Sequence, residues 1–166
     1  MKSDTIILIG MPASGKSTAG VILAKIRGMN FIDTDLVIQA REGRRLSEII
    51  AEKGLDEFIR IEGESVCSIH PEHAVVATGG SVIYNEAAMH YLSDCGTIVY
   101  LRVAKEALLK RLDDIEKRGV VLHEGESLDD MYDHRQPLYE RYADIVVDET
   151  GFSLEDTVRE IIRRIE

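Results

Sequence analysis

The residues best suited to chemistry stand close to the start of the chain, in the stretch GMPASGKST (10–18). It matches the pattern G-x-x-x-x-G-K-[ST], in which Gly10 and Gly15 let the backbone curl so that its N–H groups point at phosphate oxygens. Lys16 can reach the β- and γ-phosphates, and the Ser17 hydroxyl can ligate Mg²⁺. The pattern predicts a nucleoside triphosphate site, and the alternative is an ordinary strand-to-helix turn. The other loop residues expected to contact the nucleotide are Ala13, Ser14 and Thr18.

A second group with catalytic chemistry is the pair of carboxylates in FIDTD (31–35). Asp33 and Asp35 follow an apolar run, so they are expected where a strand ends and ligands commonly bind. One could serve the metal shell and the other could bind the hydroxyl group of a phosphoryl acceptor. The alternative is that they cap a following helix.

These side chains require a scaffold that brings distant segments together. Short apolar runs alternate along the chain with longer helical patterns, which is typical of a parallel sheet covered by helices on both faces. The pattern predicts a single domain over residues 1–166, folded as a three-layer α/β/α sandwich with a five-stranded parallel sheet. The expected strands are 5–10, 30–35, 74–80, 97–103 and 144–148. The expected helices are 16–28, 46–54, 55–69, 86–96, 104–119, 127–143 and 153–166.

Composition and charge limit the kinds of molecule that this protein is expected to bind. The chain has 166 residues and a net charge of -10, which argues against nucleic acid because such binding depends on neutralising phosphates. The apolar run TIILIG (5–10) is too short to cross a membrane or to serve as a signal peptide core. Cys67 and Cys95 form no metal-binding pattern and are expected to be reduced thiols. A cytoplasmic location, no membrane partner and no nucleic acid partner are therefore expected.

With these motifs in place, the chain resembles the shikimate kinase family, small P-loop kinases with the fold of the nucleoside monophosphate kinases. The resemblance covers nearly the whole length and rests on DTD (33–35), TGGS (78–81) and DHRQPLYERYAD (133–144). It implies ATP and Mg²⁺ as cofactors. It also implies that Asp33, together with Ser17, holds Mg²⁺ through water, and that Asp35 binds and orients or deprotonates the acceptor hydroxyl.

The resemblance implies further residues on the acceptor side. The backbone N–H groups of Gly79 and Gly80 would face the substrate and the γ-phosphate, and Arg135 would bind a substrate carboxylate. Helices within about residues 35–69 would form the substrate side of the cleft. The acceptor is accordingly expected to be a small hydroxylated molecule.

A lid is expected over about residues 113–127, where two glycines and little apolar periodicity occur. An ordinary exposed loop is the alternative. By the resemblance, Arg118 in this segment would stabilise charge on the transferring phosphoryl group, and Arg111 would lie near the adenine. A closed lid would keep water away from the reacting phosphate.

The chain departs from the family pattern at four places. Ala13 stands where a glycine is usual, Gly119 stands in place of a proline, and Ser81 replaces the third glycine of its segment, where a positive φ would strain it. The family motif F-R-x-x-E is FIRIE (58–62) here, so Ile59 occupies the position of the arginine that binds the shikimate carboxylate. Arg60 lies about 100° further around a helix. Either Arg60 or another cation compensates, or the acceptor is not shikimate.

The motifs therefore predict an ATP- and Mg²⁺-dependent small-molecule kinase, and the resemblance implies shikimate as the first candidate acceptor and shikimate 3-phosphate as the product. One alternative keeps the chemistry but changes the acceptor to another hydroxy acid, an amino acid or a sugar. A second alternative is a nucleotide-dependent sensor without turnover. A monomer is expected by analogy with small kinases of this type.

Overall fold

The computed structural model describes residues 4–113 and 120–166. Within them, the chain alternates strands and helices as the apolar runs indicate. The strands are β1 (Thr5–Ile9), β2 (Asn30–Asp33), β3 (Ala74–Ala77), β4 (Gly96–Arg102) and β5 (Ile145–Asp148). The helices are α1 (Lys16–Arg27), α2 (Thr34–Glu42), α3 (Leu46–Lys53), α4 (Leu55–Ser68), α5 (Glu86–Cys95), α6 (Lys105–Asp113), α7 (Leu128–Tyr142) and α8 (Leu154–Ile165), with a 3₁₀ turn at Val82–Tyr84.

The strands form one parallel sheet in the order β2-β3-β1-β4-β5. Strand β1 lies at the centre, where Ile7 pairs with Val76 on one side and with Ile98 on the other. All residues of β1 and β3 are buried, because helices cover both faces of the sheet. The predicted three-layer fold with a five-stranded parallel sheet is confirmed.

Alternate side chains of β1 enter different layers of the core. Ile7 and Ile9 belong to a cluster that includes side chains of α5, α6 and α7. Ile6 and Leu8 point to the other face, where the cluster includes side chains of α1 and α8. The sheet is thereby fixed between two helical layers, and the ends of its strands hold defined positions.

The segment from α2 to α4 forms a smaller unit beside the sheet. Ile38, Ile49, Phe58 and Ile61 make a separate buried cluster, one residue or more from each of the three helices. Val121, from the segment that precedes α7, packs against this cluster. The substrate-side helices expected within residues 35–69 thus have a core of their own.

Most boundaries differ by one to three residues from the sequence-based expectations, and helix α2 was not among the expected helices. Two differences bear on the site. Strand β2 ends at Asp33 rather than at residue 35, because the Asp33 side chain accepts hydrogen bonds from backbone N–H groups and starts α2. Helix α6 is described only as far as Asp113, and residues 114–119 of the expected lid lie outside the described residues. Residues 120–127 follow without regular structure except a turn at 124–125. In the described part of the chain, no helix combines the length and apolar character needed to cross a bilayer.

Candidate active site

A cavity of about 520 Å³ opens at the carboxyl end of the sheet, the edge at which parallel α/β folds bind ligands. Residues of the glycine-rich loop and the start of α1 line one part of it, and Asp35, Phe58, Glu62 and Arg135 line another. Val120 and Val121 contribute the wall next to α7. One continuous cavity therefore joins the predicted nucleotide site to the predicted acceptor site.

The glycine-rich loop connects β1 to α1 through two glycines with positive φ. Gly10 has φ 153, and a Cβ there would lie 2.8 Å from the Leu101 carbonyl oxygen. Gly15 has φ 89 and is the N-cap of α1, so its conformation directs the helix N-terminus towards the cavity. Ala13 also adopts a positive φ of 63, which is strained for a residue with a Cβ.

Lys16 lies within this loop and is 6% exposed. Its Nζ donates hydrogen bonds of 2.8 Å to the carbonyl oxygens of Gly10 and Met11, and one of 3.3 Å to Ser14 Oγ. Burial lowers the pKa of Lys16 to about 8, and the negative charge of Asp35 acts in the opposite direction. The ammonium group is held at the loop, next to the space where the phosphates of a nucleotide would lie.

Asp33 links the start of α1 to the start of α2. Its Oδ2 accepts a hydrogen bond of 2.8 Å from Ser17 Oγ, and its Oδ1 accepts the backbone N–H groups of Asp35 at 2.9 Å and Leu36 at 3.4 Å. The metal-ligand interpretation and the helix-cap interpretation are therefore compatible, since each uses a different oxygen. One hydroxyl and one carboxylate fit Mg²⁺, which keeps several waters and takes other ligands from phosphates. The described residues contain no cluster of three or more His, Cys, Asp or Glu that could hold a metal without such help.

Asp35 and Arg135 bring opposite charges to the acceptor half of the cavity. Asp35 lies in the first turn of α2, and burial, assisted by the negative charge of Asp33, raises its pKa. Arg135 is 1% exposed, donates through Nη2 to the Val121 carbonyl oxygen, and has its guanidinium 5.4 Å from the Tyr84 ring centroid. Arg135 Nε has no hydrogen-bond partner among the described residues, so this buried cation has donor capacity left for a ligand.

Gly79 and Gly80 lie between these charged groups, where a side chain would not fit. A Cβ on Gly79 would lie 2.7 Å from Glu62 Oε2 and 2.8 Å from Asp35 Oδ1. A Cβ on Gly80 would lie 2.9 Å from Pro12 Cδ and 3.0 Å from Arg135 Nη1. The backbone N–H of Gly79 donates to Thr34 Oγ1 at 3.2 Å. This hydrogen bond occupies the N–H group that the resemblance implies should face the substrate.

The three other arginines with predicted roles have different positions. Arg111 lines the cavity, and its Nη1 donates 3.1 Å to the Ala13 carbonyl oxygen. Arg60 does not line the cavity: its side chain is 54% exposed and is bound by Glu57 and Glu64 on the outer face of α4. The expectation that Arg60 reaches the substrate is therefore corrected, since its own helix neighbours hold it outside. Arg118 lies outside the described residues.

Glu62 and Ser81 form a buried pair to which the sequence analysis assigned no role. Ser81 Oγ donates 2.7 Å to Glu62 Oε1, and the two residues are 3% and 1% exposed. Ser81 has φ -92, so the strain expected at this position is absent. Two signals could have revealed Glu62: it is the glutamate of the motif FIRIE (58–62), and it lies with Phe58 and Ile61 on the buried face of α4.

Comparison with known proteins agrees with this arrangement. The family model described as shikimate kinase matches residues 12–166. Shikimate kinases from Thermodesulfovibrio yellowstonii and Chloroherpeton thalassium are 34% and 37% identical, covering 97% and 99% of this chain and 94% and 95% of their own. The solved shikimate kinase from Acinetobacter baumannii, in complex with shikimate, is 27% identical with a TM-score of 0.87, covering 98% of this chain and 93% of its own. The chain belongs to the shikimate kinase family.

Proposed function

We propose that this protein transfers the γ-phosphoryl group of ATP to a hydroxyl group of shikimate, with Mg²⁺ as the metal. The observation that carries the proposal is the single cavity in which Lys16 and Ser17 lie at one part and Asp35 and Arg135 at another. Family membership supports the reaction, and the A. baumannii relative was solved with shikimate. The acceptor and donor sites must share one cavity because the two substrates react directly.

The nucleotide half supplies binding and positive charge. The loop over residues 10–15 and the N-terminus of α1 would bind the phosphates through backbone N–H groups. Lys16 would move its Nζ from the carbonyl oxygens of Gly10 and Met11 to phosphate oxygens. Ser17 and Asp33 would hold Mg²⁺, Asp33 through water, and the metal, when bound, neutralises charge on the phosphates.

The acceptor half orients the molecule that receives the phosphoryl group. Arg135 would bind its carboxylate, because a buried guanidinium with an unpaired Nε is best satisfied by a planar anion. Asp35 would accept the hydrogen of the reacting hydroxyl and direct the oxygen towards the phosphate. Water exclusion would come from the segment around Val120 and Val121, which already forms a wall of the cavity.

A second candidate function has the same chemistry with a different hydroxylated acceptor. The observation that favours it is the position of Arg60 outside the cavity, together with Ile59 at the position of the family arginine. Among the described residues of α4 and α7 that line the cavity, Arg135 is the cation available to a carboxylate. Another hydroxy acid, an amino acid or a sugar would place different demands on such a site.

The decisive experiment measures ADP release with a panel of hydroxylated acceptors, followed by mass spectrometry of the product. We expect saturable stimulation by shikimate and the mass of a single added phosphoryl group. Activity with another acceptor and none with shikimate would favour the second candidate. Nucleotide binding without stimulation by any acceptor would instead indicate a sensor without turnover.

A matched pair of lysine variants tests whether the loop takes part in turnover. Lys16→Met should lower kcat by about 10²-fold or more, because a positive group on the developing phosphate charge is lost. Lys25→Met removes an exposed lysine from the same helix and should leave kcat unchanged. Equal activity in the two variants would remove Lys16 from the mechanism.

Monomeric state and cytoplasmic location stay predictions. Light scattering at working concentration would test the first, and fractionation of the source cells would test the second.

Removal of Mg²⁺ with a chelator should abolish turnover, because no cluster of protein ligands in the described residues can hold a metal unaided.

A further inference from the structure

Residues 120–127 make up the pre-α7 segment, which carries the two valines of the cavity wall and ends in a compact turn. Glu126, near the end of this segment, has a side chain that is only 4% exposed. Its Oε2 accepts the backbone N–H of His123 at 2.9 Å, and its own backbone N–H donates to the His123 carbonyl oxygen at 3.0 Å. These two hydrogen bonds close the turn over residues 123–126.

The second carboxylate oxygen of Glu126 joins this turn to helix α7. His134 Nδ1 lies 2.9 Å from Glu126 Oε1, and the imidazole is the donor because a carboxylate oxygen can only accept. Burial acts to raise the pKa of Glu126, but the His123 N–H and the His134 imidazole outweigh it, so the pKa is lower than usual. The ionised form, which accepts both hydrogen bonds, is therefore the form present at neutral pH.

The next residue of α7, Arg135, holds the other end of the pre-α7 segment. Its Nη2 donates to the Val121 carbonyl oxygen, and its guanidinium lies 5.4 Å from the Tyr84 ring centroid. The His123 ring packs edge-on against the same tyrosine, with ring centroids 5.3 Å apart and an interplanar angle of 78°. Arg135 thus contacts the pre-α7 segment directly at Val121 and indirectly, through Tyr84, at His123.

The hydrogen bond from Arg135 to the segment affects the direction of the whole guanidinium group. The N–H donors of this group lie in one rigid plane, so fixing Nη2 helps to determine where the others point. Arg135 Nε is a buried donor without a partner among the described residues, and its direction is therefore tied to the position of the Val121 carbonyl. A cation that is oriented before its ligand arrives loses less freedom on binding.

We propose that Glu126 is a positioning residue, which fixes the pre-α7 segment to His134 so that the Val121 carbonyl orients Arg135 for the carboxylate of the acceptor. The inference rests on the proposed function, in which Arg135 binds that carboxylate. Glu126, His123 and His134 do not line the cavity, so the effect of Glu126 on the acceptor is indirect. It should change the binding of the acceptor and leave the binding of the nucleotide unaffected.

Steady-state kinetics of the full chain with ATP and shikimate test this inference. Glu126→Ala should raise the KM for shikimate about tenfold, because a charge-assisted hydrogen bond is weakened when Arg135 loses its fixed direction. The KM for ATP and kcat should both stay within about twofold of the wild type. Glu126→Gln, which has the same shape and an amide oxygen that can still accept the His123 N–H, should restore most of the affinity for shikimate.

Glu124→Ala is the matched control, because it removes an exposed glutamate from the same segment and should leave both KM values unchanged. An unchanged KM for shikimate in Glu126→Ala would overturn the inference. An equal rise in the KM for ATP would also overturn it, because it would indicate a general loosening of the structure. So would a Glu126→Gln variant as weak as Glu126→Ala, since the effect would then depend on charge and not on position.

A double-mutant cycle shows whether Glu126 acts through Arg135. Arg135→Lys keeps a cation but removes the planar group that the Val121 carbonyl orients. In that background, Glu126→Ala should change the KM for shikimate by less than about twofold, and a full effect there would contradict the inference. These outcomes leave the proposed function intact, whereas absence of turnover with shikimate in the wild type would overturn both.

Discussion

Relief of the strained backbone at Ala13 should stabilise the protein. Ala13 has φ 63, the left-handed conformation, in which a Cβ crowds the following carbonyl oxygen. Ala13→Gly removes that Cβ, and because the loop conformation is held in place by Arg111 Nη1 on the Ala13 carbonyl oxygen, the geometry should be kept. We therefore expect a higher free energy of unfolding in the glycine variant.

The magnitude follows from two opposing terms. A residue with a Cβ in the left-handed region costs roughly 1–2 kcal/mol. The glycine also lowers the free energy of unfolding by about 0.4–1 kcal/mol, because the unfolded chain gains conformational freedom. The net stabilisation is about 1 kcal/mol, which for a domain of 150–250 residues corresponds to a rise in Tm of about 2–4 °C.

The assay is thermal unfolding of the nucleotide-free protein, followed by circular dichroism. Ala51→Gly is the matched control, because Ala51 is an exposed residue of helix α3 and the same chemical change there should cost about 1 kcal/mol. The two variants should therefore shift Tm in opposite directions. A lower Tm in both would refute the reasoning, because it would show that position 13 gains nothing from the loss of its Cβ.

Two further predictions concern binding and pH. Ile59→Arg would place a guanidinium three residues before Glu62 on the same side of α4, and one charged hydrogen bond to the shikimate carboxylate, about 1.5–3 kcal/mol, should lower the KM for shikimate about tenfold or more. Ile59→Met is the uncharged control, and an unchanged KM in the arginine variant would contradict this. The hydrogen bond to Asp4 raises the pKa of His73, so the pair stabilises the fold at low pH and this contribution disappears as the pH rises through the raised pKa. Urea unfolding midpoints of the wild type, relative to Asp4→Asn, should accordingly decline between about pH 6 and pH 8.5, and parallel midpoints would rule the pair out.

The fold could be predicted because the pattern of apolar residues that marks a strand or a helix extends over neighbouring residues of the chain. The apolar run of β1 and the motif that follows it indicated a buried strand, a loop and a helix in the order found. The family was identified for the same reason, since its motifs are short and continuous. These predictions of fold and family are confirmed.

The acceptor site was less predictable because it depends on contacts between distant segments. The ion pairs of Arg60 with Glu57 and Glu64 are local, three and four residues apart on one helix, and could have been read from the sequence. The sequence could not show that Arg60 lies on a face of α4 outside the cavity, because that depends on how the helix packs. The partner of Ser81 lies 19 residues away on another helix, so its hydroxyl bond to Glu62 required the tertiary structure. The roles assigned to the individual site residues stay predictions.

The split use of the Asp33 carboxyl group restricts how acceptor preference can change in this protein. One oxygen is joined to the loop that carries the phosphoryl donor, and the other holds the backbone amide of Asp35, the residue beside the phosphoryl receiver. A longer or shorter side chain at position 33 would disturb donor and receiver together. Adaptation to a new acceptor is therefore less disruptive at positions such as Ser81, whose side chain bonds a residue of the acceptor half.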